Sequence, residues 1–276
     1  MGRRFRRNRV ATGALGFIVL VVLLALSAPL LAPHNPDTIT ATISAGPSFS
    51  HWLGTDDLGR DILSRLLFGA RVSMQVSVQV VVLALVLALP LGLVAGYRGR
   101  WAGAAIMRVM DAMFAFPPLT LALAVAALLG ASVFTISIAI GIVFVPGFVR
   151  IIRAQVLAVR EETYIEAARS VGVRSGRMLR RHVLPNVASP LIVQIAISFG
   201  YALLSEAGLS FLGFGVQPPN ASWGSMLQSA YSFVLQDPWA MIPPGVAIAL
   251  TVLAFNLVGD GLRDALGRDA AMAGAR

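Results

Sequence analysis

The chain has 276 residues, 57 % of them hydrophobic and only 13 % charged, with 22 basic against 13 acidic side chains; an ordinary soluble domain carries about 25 % charge. That balance excludes disordered, collagen-like and disulfide-scaffold classes, and the absence of cysteine removes disulfides, thiolate metal sites and a cysteine nucleophile. Every basic residue is arginine, so a phosphate loop ending in Gly-Lys-Ser/Thr cannot exist, and the net charge of +9 falls in short clusters between long uncharged runs, as in a membrane protein rather than a nucleic-acid binder.

A helix crosses the hydrocarbon core, roughly 30 Å thick, with about 20 apolar residues. Six stretches meet that need: Val10–Leu31, Val72–Tyr97, Ala104–Leu129, Ser132–Val149, Val187–Leu212 and Trp239–Val258. Lipid offers no partner to a bare peptide group and the alternation of a barrel strand is missing, so the expected class is all-α, a polytopic protein with six transmembrane helices.

Residues 1–9 are Arg-rich (Arg3, Arg4, Arg6, Arg7, Arg9) and precede the first span, 10–31. Its apolar run exceeds the roughly 7–15 residues of a signal-peptide core and no clean small-x-small site follows, so an uncleaved anchor is expected. Residues 32–71 form a loop with Pro33, Pro36 and Pro47. Within it Ile62, Leu63, Leu66 and Leu67 recur at helical spacing, predicting a short amphipathic helix over 61–68 lying on the outer membrane face, part of a collar rather than a domain.

The second span carries Gly92-x-x-x-Gly96, a spacing that lets helices approach closely, whereas Gly99-x-x-x-Gly103 falls across a loop. The third holds Arg108 and Asp111, three residues apart on one helix face; Asp111 either pairs with Arg108 and packs at an interface or lines a solute route. Pro117-Pro118 in the third span and Pro146 in the fourth predict kinks. Arginines crowd residues 150–186, 98–108 and the tail 263–276, leaving only Arg60, Arg65 and Arg71 on the other side, which places both termini in the cytoplasm.

The loop 150–186 breaks the apolar pattern. Glu166, Ala167 and Ala168 favour a short helix that stops at Gly172, Ser175 is placed to cap a second one, and Pro185 marks the turn into the fifth span. This helix-turn-helix elbow has small residues that let another surface approach and a charged rim, the properties of a docking knuckle. An arginine-rich loop resting on anionic headgroups has the same composition.

In the fifth span Glu206 precedes the glycines at 213–215 and Gln217-Pro218-Pro219, a place to contact a partner or bound a gate. Asn256 in the last span reads more as interhelical glue than as a ligand. His34, His51 and His182 are widely scattered along the chain, so no metal site is expected. With no histidine at membrane depth an intramembrane serine hydrolase is disfavoured; an ATP-independent secondary transporter or channel would lack the elbow and carry more intramembrane acids.

Spacing decides between the readings of the elbow. Glu166-Ala167-Ala168, three residues, Gly172, eleven residues, Leu184-Pro185 resembles the "EAA" loop of ATP-binding-cassette (ABC) importer permeases, and Arg181-His182-Val183-Leu184-Pro185-Asn186 is similar to its dipeptide/oligopeptide branch. His51–Asp61 with Gly69–Ser73, Phe211–Pro219 with Ser222-Trp223-Gly224, and Ala254–Asp264 resemble further segments of the "C" permease subunit of that branch. The resemblance implies a type I ABC importer permease fold with a five-helix core over 72–262, in a prokaryotic cell membrane. It also implies a non-catalytic subunit that imports dipeptides or oligopeptides, with nickel chelates or glutathione as alternative cargo. Its partners would be a homologous "B" permease, two ATPase subunits and an extracytoplasmic solute-binding protein. ATP and Mg would be bound by the ATPases, with no cofactor in this chain. The docking loop would comprise Glu166, Ala167, Ala168, Gly172, Leu184 and Pro185, while Asp111, Glu206 and Asn256 are candidate pathway or interface residues.

Overall fold

The computed structural model of the chain describes residues 5, 7–98 and 100–273. Arg3, Arg4, Arg6 and Arg276, used above to orient the chain, and Gly99 lie outside the described residues. The described residues are helical, with no β-strand among them, and run in the order α1 (Arg9–Leu26), α2 (Ala28–Leu31), α3 (Ile62–Tyr97), α4 (Arg100–Phe114), α5 (Pro118–Leu129), α6 (Val133–Arg160), α7 (Thr163–Ser170), α8 (Ser175–Met178), α9 (Leu184–Phe211), α10 (Trp223–Ser232) and α11 (Ile242–Ala273). A wide π-turn, Leu179–Val183, joins α8 to α9, and a 3-10 turn, Pro238–Met241, leads into α11.

Five helices among the described residues are long and apolar enough to cross a membrane, and one bent pair, α4 with α5, makes a sixth candidate as a broken crossing. The third expected span bends by 91° between α4 and α5. Pro117 and Pro118 cause it: proline biases the residue before it away from helix and cannot donate to the preceding turn. Pro117 is extended (φ −56°, ψ 131°), and the Leu121 N–H bonds to its carbonyl to start α5. At 1.5 Å per residue the two pieces reach only about 22 and 18 Å, so neither spans alone. Pro146 behaves differently, because α6 continues unbroken across it.

The structure corrects the outer loop. Residues 61–68 are the N-cap and first turns of α3, not a separate surface helix, and the long helix begins at Ile62 rather than at residue 72. The physical reason is burial on more than the apolar side: Ile62, Ser64 and Arg65 are all buried, and Gly69 lies where Trp223 and Met226 approach. With no proline between Phe68 and Val72, the helix continues across Gly69.

α3 and α6 run side by side as the axis of the bundle. A Cβ on Gly92 would lie 2.7 Å from Ile152 and one on Gly96 2.6 Å from Val156, so the glycine pair at 92 and 96 permits this crossing. The core continues in layers, with Val76, Val80, Ile136, Ile140 and Leu209 at mid-height and Val149, Ile152 and Val156 toward the end that carries the elbow. α9 packs on α11, which in turn packs on α1.

At the opposite end residues 33–61 form the collar. Asp56 accepts hydrogen bonds from the backbone and Nε of Arg60 at 2.9 and 2.7 Å and lies 3.4 Å from Arg65 Nε, while Arg65 also donates to the Pro36 carbonyl. Asp61 caps α3 by accepting from the Ser64 N–H and hydroxyl at 2.8 and 2.7 Å, and His51 Nδ1 lies 2.9 Å from its other oxygen. Burial would raise the Asp61 carboxyl, but these hydrogen bonds and nearby His34 outweigh it and hold the group below its ordinary range. Histidines that the sequence scatters are therefore partly gathered: the rings of His34 and His51 are 4.7 Å apart, and only His182 is remote. Trp223 Nε1 donates to the Leu66 carbonyl, fastening α10 to the first turns of α3, and Trp239 Nε1 donates to the Leu53 carbonyl, fastening the α11 entrance to the collar.

Candidate functional site

α6 runs out at Arg160, whose guanidinium donates to the Gly96 carbonyl at 2.8 Å and so ties the end of α6 to the end of α3. After Glu161 and Glu162 the chain starts α7 at Thr163. α7 ends because Gly172 adopts φ +79°, a left-handed conformation with little cost for glycine, and the Val173 N–H closes the cap on the Ala168 carbonyl at 3.1 Å. The second arm differs from expectation at one point. Ser175 is the first residue of α8, and the N-cap is Arg174, which makes no side-chain capping bond.

The elbow has two faces of opposite character. Ile165, Met178 and Val183 are fully buried against Val156 and Val159 of α6, with Ala168, Val173 and Leu179 packed around them. Burying such side chains contributes roughly 1.5–3 kcal/mol each, so the two arms are anchored from beneath. Glu166, Ala167, Ser170, Val171 and Gly172 face outward, and nothing lies within 4 Å of the place where a Gly172 Cβ would be. Of the expected docking residues, then, Glu166, Ala167 and Gly172 form one open surface, Ala168 is half-buried beneath it, Leu184 is half-buried at the start of α9, and Pro185 is exposed in its first turn.

Two residues that sequence reasoning passed over join the arms. Asn186 Nδ2 donates to the Tyr164 hydroxyl at 3.0 Å and to the His182 carbonyl at 2.7 Å, and the Tyr164 and His182 rings lie 6.3 Å apart. Burial and the Glu162 charge push the Tyr164 phenol above its ordinary value. The signal was present as an aromatic residue beside Glu166 and an asparagine after Leu184-Pro185, but only the fold shows that they meet.

The remaining candidates separate. Asp111 pairs with Arg150 of α6 at 2.6 Å instead of Arg108, because Arg150 also seats its guanidinium 4.1 Å above the Phe114 ring and so comes in from the facing helix. Glu206 is fully buried within the chain. It accepts from the Ser73 hydroxyl at 3.0 Å and the Ser210 hydroxyl at 2.7 Å, while the Trp223 N–H donates to Ser73. This knot joins α3, α9 and α10, and two hydroxyls donating to the carboxyl, one of them itself held by the Trp223 N–H, explain why a carboxyl can be buried there. Asn256 is half-buried on α11 without a hydrogen-bond partner among the described residues.

The bundle thus carries one broken crossing and an elbow set at the end of the α3–α6 pair. Residues 88–271 match the model of the binding-protein-dependent transport system inner membrane component, and residues 1–47 match that of the N-terminal transmembrane domain of oligopeptide transport permease C. The chain belongs to the binding-protein-dependent transport system inner membrane component family. It is 45 % identical, over 96 % of its length and 87 % of the relative's, to a dipeptide transport system permease protein of Alkalihalophilus pseudofirmus. Glutathione transport system permease proteins of Pectobacterium atrosepticum and Escherichia coli are each 43 % identical over 96 % of this chain and 88 % of theirs. A chain of the MetNI methionine ABC transporter, solved in inward-facing conformations, shares the fold at a TM-score of 0.61 and 15 % identity, covering 74 % of this chain and 97 % of that one. This family member is thus an ABC importer permease subunit, a multi-pass inner-membrane protein of helical fold. Both matched regions together include the elbow, the broken crossing and the first span.

Proposed function

We propose that this permease forms half of the translocation route of an ATP-driven importer for dipeptides or oligopeptides, and that its elbow receives the push of separate ATPase subunits. The observation that carries this reading is the elbow itself. A short helix ends on a left-handed glycine, presents Glu166 and Ala167 bare to the outside, and rests through Ile165, Met178 and Val183 on α6. A load applied to such a knob passes into α6, and through the Gly92 and Gly96 crossing into α3. The groove between α4, α6 and α9, lined by Phe114, Phe144, Gly147, Gln194, Ser198 and Tyr201, is the proposed wall of the route. The Asp111–Arg150 pair closes α4 onto α6 beside it.

The partners in this reading are a homologous "B" permease, two ATPase subunits and an extracytoplasmic solute-binding protein. ATP and Mg sit in the ATPases, this chain binds no nucleotide and performs no catalysis, and both termini lie in the cytoplasm with the elbow. Peptide cargo is favoured by the dipeptide permease relative at 45 % identity. Glutathione, itself a small peptide, is the second reading, favoured by relatives at 43 %.

The test uses Gly172→Val, which puts a branched side chain at φ +79° without filling any packed space. Normal membrane insertion with loss of transport-coupled ATPase activity is expected, and wild-type uptake by this variant would sink the reading. Because the chain lacks cysteine, Ala167→Cys offers a single cross-linking handle, which should capture an ATPase subunit and not the binding protein.

A further inference from the structure

The collar contains a constellation that the transport reading does not use. His34, on the segment after α2, His51, in the middle of the loop, and Asp61, at the N-cap of α3, each offer one ligand atom, and these atoms lie within 4.8 Å of one another. His51 Nδ1 is 2.9 Å and His34 Nδ1 3.8 Å from the same Asp61 oxygen. Asp61 is buried, with 2 % of its side chain accessible, whereas His34 is 42 % accessible and opens the cluster to solvent.

We propose that His34, His51 and Asp61 form a binding site for a divalent transition-metal ion of the zinc type.

The argument starts from charge. The other buried acid of the collar, Asp56, faces Arg60 and Arg65, but the ion pairs of Asp61 among the described residues are with the two imidazoles alone. A buried carboxylate needs a cationic partner, and a metal ion held by neutral imidazoles supplies one. Bonds of about 2.0–2.2 Å in tetrahedral geometry put ligand atoms roughly 3.4 Å apart. The His51–Asp61 separation is slightly shorter than that and the His34–Asp61 separation slightly longer, so small side-chain rotations would close the shell.

The support around the ligands is also in place. Ser64 donates its N–H and hydroxyl to the second Asp61 oxygen, and the same hydroxyl accepts the His34 backbone N–H at 3.1 Å, so one residue orients two ligands. Two imidazoles with one carboxylate suit zinc, nickel or copper and disfavour calcium and magnesium, which take all-oxygen shells. Three protein ligands leave a fourth position facing solvent. An ion there would clip residues 34 and 51 to the start of α3 and set the collar as one body.

The experiment uses the full chain purified in detergent on a histidine-free tag and stripped with a chelator. Zn²⁺ is titrated calorimetrically against a competing chelator, and Co²⁺ serves as the spectroscopic probe. One Zn²⁺ per chain and an intense tetrahedral Co²⁺ visible spectrum are expected. His34→Gln and His51→Gln, which keep a hydrogen-bonding side chain beside Asp61, should each lower Zn²⁺ affinity by more than about a hundredfold. Ser64→Ala should lower it by roughly ten- to a hundredfold, as loss of an orienting partner does. His182→Ala removes the remaining histidine of the three and should change nothing. Should His51→Gln fail to fold, His34→Gln decides, since that side chain is half exposed. The proposal is overturned if the wild-type chain shows no saturable binding, if His34→Gln binds as well as wild type, or if binding disappears in His182→Ala.

Discussion

The two ends of this molecule solve opposite problems with opposite materials. The collar is fastened by buried charge: Asp56, Arg60 and Arg65 interlock with little water around them, and Asp61 holds the start of α3. The elbow is fastened by grease, with Ile165, Met178 and Val183 sealed against α6 while its charged and small residues stay outside. Buried ion pairs are directional and intolerant of change, which suits a part that must keep one shape. An apolar underside holds a knob in place without prescribing its outer face, leaving that face free to meet a partner. The comparison teaches where to look for movement: a load on the elbow is carried by packed side chains into α6 and α3, while the collar gives those helices a fixed far end.

The contrast can be broken most severely at the collar. Asp56→Ala strips the acceptor from two buried arginines and should cost about 3–5 kcal/mol, the usual penalty for orphaning a buried charge, read as a large drop in the thermal unfolding temperature of the detergent-solubilised chain. Ile165→Ala empties a fully buried site beneath the elbow and should cost about 2–5 kcal/mol locally. Its sharper readout is faster hydrogen exchange across 161–186 with the collar amides unchanged; equal loosening of both ends would show that they are not independent. Gly96→Val forces a branched side chain onto Val156, and the overpacking should cost roughly 1–3 kcal/mol, seen as weakened association of α3 with α6 in thermal melts. The smallest effect belongs to Tyr164→Phe, which deletes the hydroxyl that receives Asn186. A loss of about 0.5–1.5 kcal/mol is expected, with ATPase coupling reduced while melting of the collar stays at the wild-type temperature.

Much of the architecture was legible because lipid makes few demands and enforces them strictly. Uncharged runs of spanning length had to be helices, and the arginine- and glutamate-rich stretch between the fourth and fifth runs made the elbow and its glycine stop visible in the sequence, although the expected loop from residue 150 starts later because α6 continues to Arg160. The small-residue pair at Gly92 and Gly96 was visible too, although not the residues it would meet. Asp111 shows where such reading ends. Spacing along one helix offered Arg108 as its partner, but the facing helix brought Arg150 with an aromatic ring beneath it. Glu206 shows the same limit: Ser210 lies one turn away on its own helix, but the Ser73 hydroxyl that also donates to it comes from 133 residues earlier in the chain.

Hydrophobic run length and charge clustering are local properties, so the sequence alone determined that this protein is a helical membrane protein with a charged elbow between its fourth and fifth apolar runs, and the motif spacing within that elbow carried the family resemblance. Partner choice is a property of space. Whether a proline pair kinks or breaks a crossing, which arginine answers Asp111, and that two histidines seventeen positions apart meet the same carboxylate were settled only when distant segments packed together, because short-range electrostatics and close packing act through a few ångströms whatever the separation along the chain.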